Sequence, residues 1–358
     1  EIWGETLWDL RKKLGSSLTE ELVTRAMELS PANPSYLDMR NAILQADEVV
    51  NGGDANDTIW QVFAHRGMGY FAASIDGNDA HPIADTHLPP GPGTPKGTFR
   101  GKVTDIQTGD PIAGTSVFFG GHASGFPGAD LSDTTGAQGR FEIKGIFVGT
   151  YRDVVAFANG YDRIAITQTI SASSAGATTH NFQLVRDWAS ALKGGSVTAF
   201  NGPDFTGFGC GPINAIDQSQ GAGWGSTSDL SPTGQQTPNT PKFIVVQLPE
   251  TIDISTFGVD PSNTCGDSPS AATGDFKIET STNGTTYQVA ATGTFTPADL
   301  GKVNTVTPAA GTTAGVRFVR FTMINPQVFQ IPGATCPGPF SGCDFMDMSE
   351  LEVYGSPS

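Results

Sequence analysis

The sequence of 358 residues predicts a multidomain protein in which an N-terminal α-helical lobe precedes two all-β sandwich domains. Within residues 1–75, apolar residues recur at intervals of three and four, which is the spacing of an amphipathic helix face. Further along, short runs rich in Val, Ile, Phe and Thr alternate with turn sequences such as TGDP and TTGAQG, a pattern typical of antiparallel sheets. The 45 glycines and 24 prolines also favour turn-rich β structure over most of the chain.

Four helices are expected in the first 75 residues. The run EIWGETLWDLRKKLG predicts a helix that ends at Gly15, and SSLTEELVTRAMEL predicts a second with a capping box between Ser17 and Glu20. A proline-rich stretch ends the second helix, and SYLD predicts that a third begins at Ser35. The run TIWQVFAHRG predicts the fourth.

Residues 76–96 contain HLPPGPGTPKG, in which neither a helix nor a central strand is expected, so we place a linker there. Residues 97–186 follow with six strand-like runs, which predict a compact antiparallel sandwich. Residues 187–358 contain six more such runs with longer loops, among them FIVVQLP and ISTFGVD as two separate strands, and they predict a jelly-roll-like sandwich. The expected domains are therefore 1–75, 97–186 and 187–358.

The charge pattern argues against nucleic acid as a partner. The formal net charge is −16, from 36 acidic and 20 basic residues, and no block of Lys or Arg stands out as a phosphate-binding footprint. Such acidity is typical of solubility in an extracellular medium. We also expect no membrane span, because the sequence has no run of 18 apolar residues.

Four cysteines occur, namely Cys210, Cys265, Cys336 and Cys343. No two of them form a CxxC pair, which argues against a zinc ribbon or a thioredoxin-type site. We expect two disulfides, Cys210–Cys265 and Cys336–Cys343, although four cysteines permit three pairings. Disulfides and the composition together predict a secreted protein.

No autonomous hydrolase motif is present: the sequence lacks His-Glu-x-x-His, Gly-x-Ser-x-Gly and Gly-x-x-x-x-Gly-Lys. His81, Asp85 and His87 lie close together in NDAHPIADTH, where a metal site could be drawn, but a solvated loop is the better interpretation.

Two further groups in the last domain could bind ligands. An acidic loop could collect a cation that prefers oxygen ligands, with hydration as the simpler interpretation; its members are Asp260, Asp267 and Asp275. Aromatic residues in expected loops could stack on sugar rings or simply fill the loops; they are Phe205, Phe208, Trp224, Phe329 and Phe340.

Residues 1–73 resemble the C-terminal helical lobe of fungalysin-type zinc metallopeptidases. The motifs that carry this resemblance are LWDLR, MELSPANPSYLDMRNAILQAD and IWxxFAxRGxG, in that order and spacing. The resemblance implies that a Val-His-x-x-Gly segment precedes the first helix and that the His-Glu-x-x-His and third Glu ligands of zinc lie further upstream. We therefore expect EIWGETLWDLR to be an interior helix of a longer fold.

The resemblance implies zinc as the cofactor of the parent peptidase. Catalysis by zinc needs three protein ligands and an open position, so that the metal can polarise a carbonyl and activate water. We expect those ligands outside this chain, which is predicted to be inactive by itself. The N-terminal catalytic part of the same peptidase is then the expected partner.

The two β regions resemble other families. Residues 97–186 are similar to carboxypeptidase-regulatory, or transthyretin-like, domains through GKVTDIQTGDPIAGTSVFFG and TTGAQGRFEIKGIFVGTYRDVVAFANGYD. Residues 188–355 are similar to discoidin, or coagulation-factor type C, domains through NAIDQSQGAGWGS, PKFIVVQLPETIDISTFGVDPS and MSELEVYG. The second resemblance implies a calcium site formed by Asp217 and Glu350.

The leading hypothesis is that the chain is the C-terminal portion of a secreted zinc metalloendopeptidase that cleaves extracellular proteins or peptides. Its β domains would then bind or position a substrate or a surface. The alternative is a non-enzymatic extracellular adhesion or glycan-binding protein that acts on glycans or a cell surface through the discoidin-like domain.

Overall fold

The computed structural model describes the whole chain except residues 78, 80, 124–129, 220, 229–239 and 331–338. The described residues form two compact units. The first contains residues 1–158 and 162–184, and the second contains residues 159–161 and 185–358. Helices precede β-sheets along the chain, as predicted. None of the described helices is long and apolar enough to cross a membrane.

Four α-helices occupy the start of the described chain: α1 Ile2–Leu14, α2 Ser16–Leu29, α3 Tyr36–Asn51 and α4 Asn56–His65. The first ends at Gly15, whose φ of 81° lies in the left-handed region that glycine adopts without strain. The predicted capping box of Ser17 and Glu20 is wrong, because α2 begins directly after Gly15 and Ser17 already lies in its first turn. The cap of α3 is present: the Asp38 amide donates to Ser35 Oγ at 3.1 Å.

Apolar side chains from all four helices share one core. Leu10 of α1, Leu22 of α2, Ile43 of α3 and Phe63 of α4 are each 0% exposed and belong to the same buried cluster. Helices as short as these are marginal alone in water, so this shared burial supplies most of their stability.

A buried arginine joins the helices to the β part of the first unit. Arg40 on α3 is 0% exposed, and its guanidinium donates to the carbonyls of Met68 at 3.1 Å, Gly69 at 2.7 Å and Gly121 at 2.7 Å. Burial lowers the pKa of Arg40 to about 10, so it remains charged at neutral pH. The planar fork of an arginine suits it to satisfy several carbonyls at once.

Two sheets face each other in the β part of the first unit. One has the order β4-β1-β7 with β8 also paired to β1, and the other has the order β3-β2-β5-β6. Aromatic rings fill the space between them; for example, the ring centroids of Phe99 and Phe119 lie 5.7 Å apart. The strands are β1 Lys96–Asp105, β2 Ser116–Phe119, β3 Ser132–Thr134, β4 Arg140–Phe147, β5 Gly149–Phe157, β6 Ile164–Ile170, β7 Thr178–Thr179 and β8 Phe182–Leu184.

The second unit combines a seven-stranded and a two-stranded sheet among its described residues. The long strand β11 pairs with β9, β14, β15 and β17, and β10 pairs with β16. The strands are β9 Ser196–Phe200, β10 Trp224–Thr227, β11 Lys242–Asp260, β12 Asp275–Ser281, β13 Gln288–Thr294, β14 Asn304–Val306, β15 Val316–Met323, β16 Phe345–Met348 and β17 Glu350–Pro357.

The structure corrects two sequence expectations in the second unit. FIVVQLP and ISTFGVD, predicted as two strands, lie in the single strand β11, whose register with β15 shifts between Gln247 and Ile252. Pro249 lies in that irregular stretch, where a missing N–H disrupts no regular ladder. Trp224, expected in a loop, lies in β10 and is 0% exposed in the core.

Replacing Arg40 with Leu is expected to lower the free energy of unfolding of the first unit by about 3–5 kcal/mol, because three backbone carbonyls each lose a hydrogen bond from a buried, charged donor. Arg40→Lys should be more stable than Arg40→Leu but less stable than the wild type, because the lysine ammonium lacks the planar fork of the guanidinium. Urea denaturation of the intact chain measures both. In the matched control Arg25→Leu, an exposed arginine of α2 is lost, with an expected change within about 0.5 kcal/mol. A similar small change for Arg40→Leu would contradict the assigned role.

Candidate functional site

The two residues of the expected calcium site lie on different elements of the second unit. Glu350 is the first residue of β17 and pairs with Asp260 of β11. Asp217 directly follows a short 3₁₀ helix, Pro212–Ile216. The structure brings the two carboxyl groups close enough for the charge of Asp217 to raise the pKa of Glu350.

Glu350 is an unusually placed acid. Its side chain is only 2% exposed, and neither carboxyl oxygen makes a hydrogen bond of normal geometry in the described part of the chain. Burial raises its pKa well above the ordinary value, and the charges of Asp187, Glu352 and Asp217 raise it further, while the Gln218 amide opposes them weakly. A buried, unpaired carboxylate is costly, so this group requires a proton or a cation.

Asp217 and Asp187 complete this acidic cluster. Burial raises the pKa of Asp217, although its oxygens accept hydrogen bonds from Asn214 Nδ2 and the Ser219 amide, each at 2.9 Å. Asp187 is 0% exposed, and its Oδ1 accepts from the Val353 amide at 2.8 Å. Sequence analysis missed Asp187, which lies in the chain segment between β8 and β9 and has no local pattern that marks it.

The donor set of this cluster suits a hard cation. Calcium takes six to eight oxygen ligands and accepts backbone carbonyls and water beside carboxylates. No three His, Cys, Asp or Glu side chains among the described residues are grouped as a full set of metal ligands. Calcium held by Asp217 and Glu350 would therefore need carbonyl or water oxygens to complete its shell.

A second pair of buried acids lies elsewhere in the same unit and was not foreseen as a pair. Asp347 of β16 is 0% exposed and Asp267 is 6% exposed, and Asp347 Oδ2 accepts from the Thr264 amide at 3.1 Å. Burial raises the pKa of both groups, and that of Asp347 is raised well above its ordinary value with a further contribution from Asp267. Like charges at short range are avoided when one of the two carboxyls keeps its proton.

The acids of the loop that contains Asp260, Asp267 and Asp275 are not grouped as a set of three metal ligands among the described residues. Each of its acids has its own partners: the Ser262 amide donates to Asp260 at 3.0 Å, and Thr294 Oγ1 donates to Asp275 at 2.6 Å. Asp267 instead faces Asp347. These carboxylates hold turns and strand ends in place.

Cys210 and Cys265 form a disulfide with their Cα atoms 6.0 Å apart. A Cβ built on Gly225, which lies opposite Asp347 in the β10–β16 ladder, would be 3.8 Å from Cys210 Cβ and 3.1 Å from Asp347 Oδ1. The disulfide and the second acid pair are therefore neighbours. Cys336 lies outside the described residues, and with it the expected Cys336–Cys343 bridge.

Four phenylalanines of the second unit form a continuous group, which we call the aromatic ridge: Phe205, Phe208, Phe340 and Phe345. The Phe208 and Phe340 side chains are 83% and 56% exposed. Neighbouring ring centroids are 6.3 Å apart for Phe205–Phe208, 6.0 Å for Phe205–Phe345 and 6.0 Å for Phe340–Phe345. Phe345 was missed because it lies in a strand, whereas Phe329 packs inward against Val328 and Cys343.

The His81–Asp85–His87 loop is built as a structural turn. His87 Nδ1 lies 2.6 Å from Asp85 Oδ1, and Asp85 Oδ2 accepts from the amides of His87 at 2.9 Å and Phe71 at 3.1 Å. The His81 amide donates to Asp79. Within the described chain, these residues do not form a group that could hold a metal.

Three family models match the chain. Residues 1–72 match the fungalysin metallopeptidase (M36) family, residues 98–185 match the carboxypeptidase regulatory-like domain, and residues 196–331 match the F5/8 type C domain. The three resemblances predicted from the motifs are thereby confirmed.

Curated relatives match the start of the chain. Extracellular metalloproteinase 3 of Trichophyton rubrum is 39% identical over 77 residues, which cover 22% of this chain and 12% of that protein. Extracellular metalloproteinase NpIII of Aspergillus oryzae is 46% identical over 57 residues, covering 16% of this chain and 9% of that protein. The chain therefore spans only about an eighth or less of the length of these relatives.

Solved structures of carbohydrate-binding modules are similar to part of the chain. The CBM32-3 module of a family 31 glycoside hydrolase from Clostridium perfringens is 18% identical, with a TM-score of 0.33, and covers 46% of this chain and 92% of its own. The family 32 module of Streptococcus pneumoniae EndoD is 12% identical, with a TM-score of 0.34, and covers 48% and 99%.

Without metal, the second unit is expected to become more stable as the pH falls from 8 to 5. The pKa values of Glu350, Asp217 and Asp347 are raised in the folded state, so folding takes up protons, and the associated stability is lost as the pH rises through those values. Hydrogen exchange of β17 amides in the presence of a chelator measures this. Faster exchange at pH 5 than at pH 8, after correction for the intrinsic rates, would contradict it.

Glu350→Gln should raise the metal-free stability at pH 8, because a neutral amide replaces a buried carboxylate whose pKa is raised in the folded state. It should also flatten the pH dependence of exchange in β17. The control Glu20→Gln changes an exposed acid of α2 and should leave both unchanged. An equal response of the two variants would rule out the assigned role of Glu350.

Proposed function

We propose that the chain is the C-terminal portion of a secreted zinc metalloendopeptidase that acts on extracellular proteins. In this proposal the helices belong to the peptidase and the two β modules bind or position substrate. The observation that carries the proposal is the match of residues 1–72 to the fungalysin metallopeptidases, together with their 39% identity to extracellular metalloproteinases of Trichophyton.

An apolar groove on the helical part of the first unit supports the proposal that a partner binds there. It has a volume of about 430 Å³ and is lined by residues that include Ile2, Pro34, Tyr36 and Met68. Ile2 and Tyr36 are 59% and 49% exposed, and exposed apolar surface of this kind marks interaction sites. We assign the groove to the N-terminal catalytic part of the same peptidase.

In this proposal, zinc is bound by that catalytic part. The described residues provide no group of three metal-ligating side chains, so they do not fit a catalytic zinc. When bound in the catalytic part, zinc would supply a Lewis acid that polarises the peptide carbonyl. The role proposed for this chain is to complete the fold around that part.

Calcium is proposed as the ion held by Asp217 and Glu350, with Asp187 adding negative charge. The two unsatisfied oxygens of Glu350 support this assignment, because a cation would remove the cost of their burial. The ion would fix the turn after Pro212–Ile216 to the start of β17.

At a calcium concentration about 100 times the Kd, the second unit should be stabilised by about 2.7 kcal/mol at pH 7.5. Differential scanning calorimetry with calcium and with a chelator measures the shift. Glu350→Gln should abolish it, whereas Asp347→Asn, which changes the other buried acid pair, should preserve it. The calcium assignment fails if the chelator does not lower the midpoint of the wild type.

The peptidase assignment is tested by mixing this chain with a separately produced fungalysin-type catalytic part and zinc, and then following casein digestion. Neither piece should digest casein alone, and the mixture should. Ile2→Glu combined with Tyr36→Glu should weaken the association in size-exclusion chromatography. Met27→Glu, at a position 61% exposed and outside the groove lining, is the control. Digestion by this chain alone, or none by the mixture, would contradict the proposal.

The second candidate function is glycan binding by an adhesion protein through the discoidin-like domain, and the aromatic ridge favours it. Exposed aromatic rings stack on sugar rings, and Phe208 is 83% exposed. A glycan array with the intact chain tests this. Phe208→Ala should lose the bound glycans, whereas Phe200→Ala, at an aromatic residue that is 39% exposed on β9, should keep them. Binding without proteolysis in the mixture would favour this second function.

A further inference from the structure

The first unit contains a cleft that the proposed function does not use. It has a volume of about 260 Å³ and lies between α3 and α4 on one side and β1 and the end of β4 on the other. The cleft is separate from the apolar groove, with which it shares no lining residue. A volume of this size is just below that of drug-sized ligand sites, so the cleft suits one small ring or side chain.

Aromatic rings form the walls of the cleft. Trp60 of α4, Tyr70 and Phe147 of β4 all line it, with the Tyr70 ring centroid 6.0 Å from that of Trp60 and 5.9 Å from that of Phe147. Tyr70 is held rigidly because its amide donates to the His87 carbonyl at 2.8 Å. A ligand in the cleft would therefore contact flat apolar surfaces in fixed positions.

A neutral histidine lies among these rings. His122 is 7% exposed, and its Nε2 lies 2.8 Å from the Tyr70 carbonyl, to which it must donate. Burial lowers the pKa of His122 to about 3, and the positive charge of Arg40 contributes. Because Nε2 carries the proton of the neutral ring, Nδ1 is an acceptor, and it has no partner among the described residues.

This acceptor disfavours charged ligands. An anion would be repelled by the Nδ1 lone pair. A cation would be repelled by the positive charge of the Arg40 guanidinium, which stacks on Trp60 at 4.7 Å. A neutral hydroxyl can donate to Nδ1 without either penalty. Both signs of charge occur in the remaining lining, at Glu48, Asp130 and Lys96, and together they supply acceptors and donors for further hydroxyls.

We propose that this cleft binds one neutral saccharide ring, with its C–H face on the aromatic walls and a hydroxyl that donates to His122 Nδ1. Apolar walls with a few convergent polar groups are the usual composition of small-ligand sites. The site goes beyond the proposed peptidase role, and it lies in a different unit from the aromatic ridge.

Isothermal titration of the intact chain with N-acetylglucosamine, galactose and xylose tests the proposal, with glucosamine and glucuronate as the charged probes. At least one neutral sugar should bind saturably in the millimolar range, and the charged probes should bind at least tenfold more weakly. No saturable binding of a neutral sugar up to 100 mM, or tighter binding of a charged probe, would overturn the proposal.

Two variants locate the binding. Phe147→Ala removes one wall, and His122→Phe keeps a ring but removes the acceptor; each should raise the Kd at least tenfold. Phe147 is half-buried, so its variant keeps the test valid if the His122 variant does not fold. Phe200→Ala, at an exposed aromatic residue of β9 in the second unit, should leave this Kd unchanged. Loss of binding in Phe208→Ala with retention in Phe147→Ala would overturn the cleft assignment, while casein digestion by the mixed peptidase reports separately on the proposed function.

Discussion

The constraint on which the second unit depends is the burial of several acidic groups close to one another. Glu350 and Asp187 are buried and Asp217 is half-buried, and the charges of Asp187 and Asp217 raise the cost of ionising Glu350. The same groups also hold the unit together, because Asp187 accepts the amide of Val353 in β17 and the amide of Ala189 at the start of the unit. The acids whose charge must be neutralised are therefore the same groups that hold the strands of the sandwich together.

The first unit instead buries a positively charged group, the guanidinium of Arg40. Among its described hydrogen bonds, Arg40 has no carboxylate acceptor; backbone carbonyls of two other segments and the side-chain oxygen of Asn41 accept from it instead. Burial lowers the pKa of the neighbouring His122, and the charge of Arg40 lowers it further, so that the imidazole stays neutral. One buried guanidinium thus joins the helices to the β part and sets the chemistry of the cleft beside it.

The sequence failed where a side chain's role depends on distant neighbours. The Ser17–Glu20 capping box has the correct pattern, but the turn at Gly15 starts α2 too early for it to form. Trp224 was expected in a loop, yet pairing with β16 makes it part of the core. Asp267 and Asp347 are 80 positions apart, and only the fold brings them together.

The sequence by itself determined the order of helical and β regions and the resemblance of each region to a family, because hydrophobic periodicity, turn residues and motif spacing are local properties. It also suggested Asp217 and Glu350, through the discoidin resemblance rather than through any pattern around them. Only the tertiary structure decided that Glu350 is buried without hydrogen bonds of normal geometry, that Asp187 joins it, and that His122 faces a cleft as a neutral acceptor. Burial and the charge of neighbouring groups set these properties, and both arise from contacts between segments far apart in the chain.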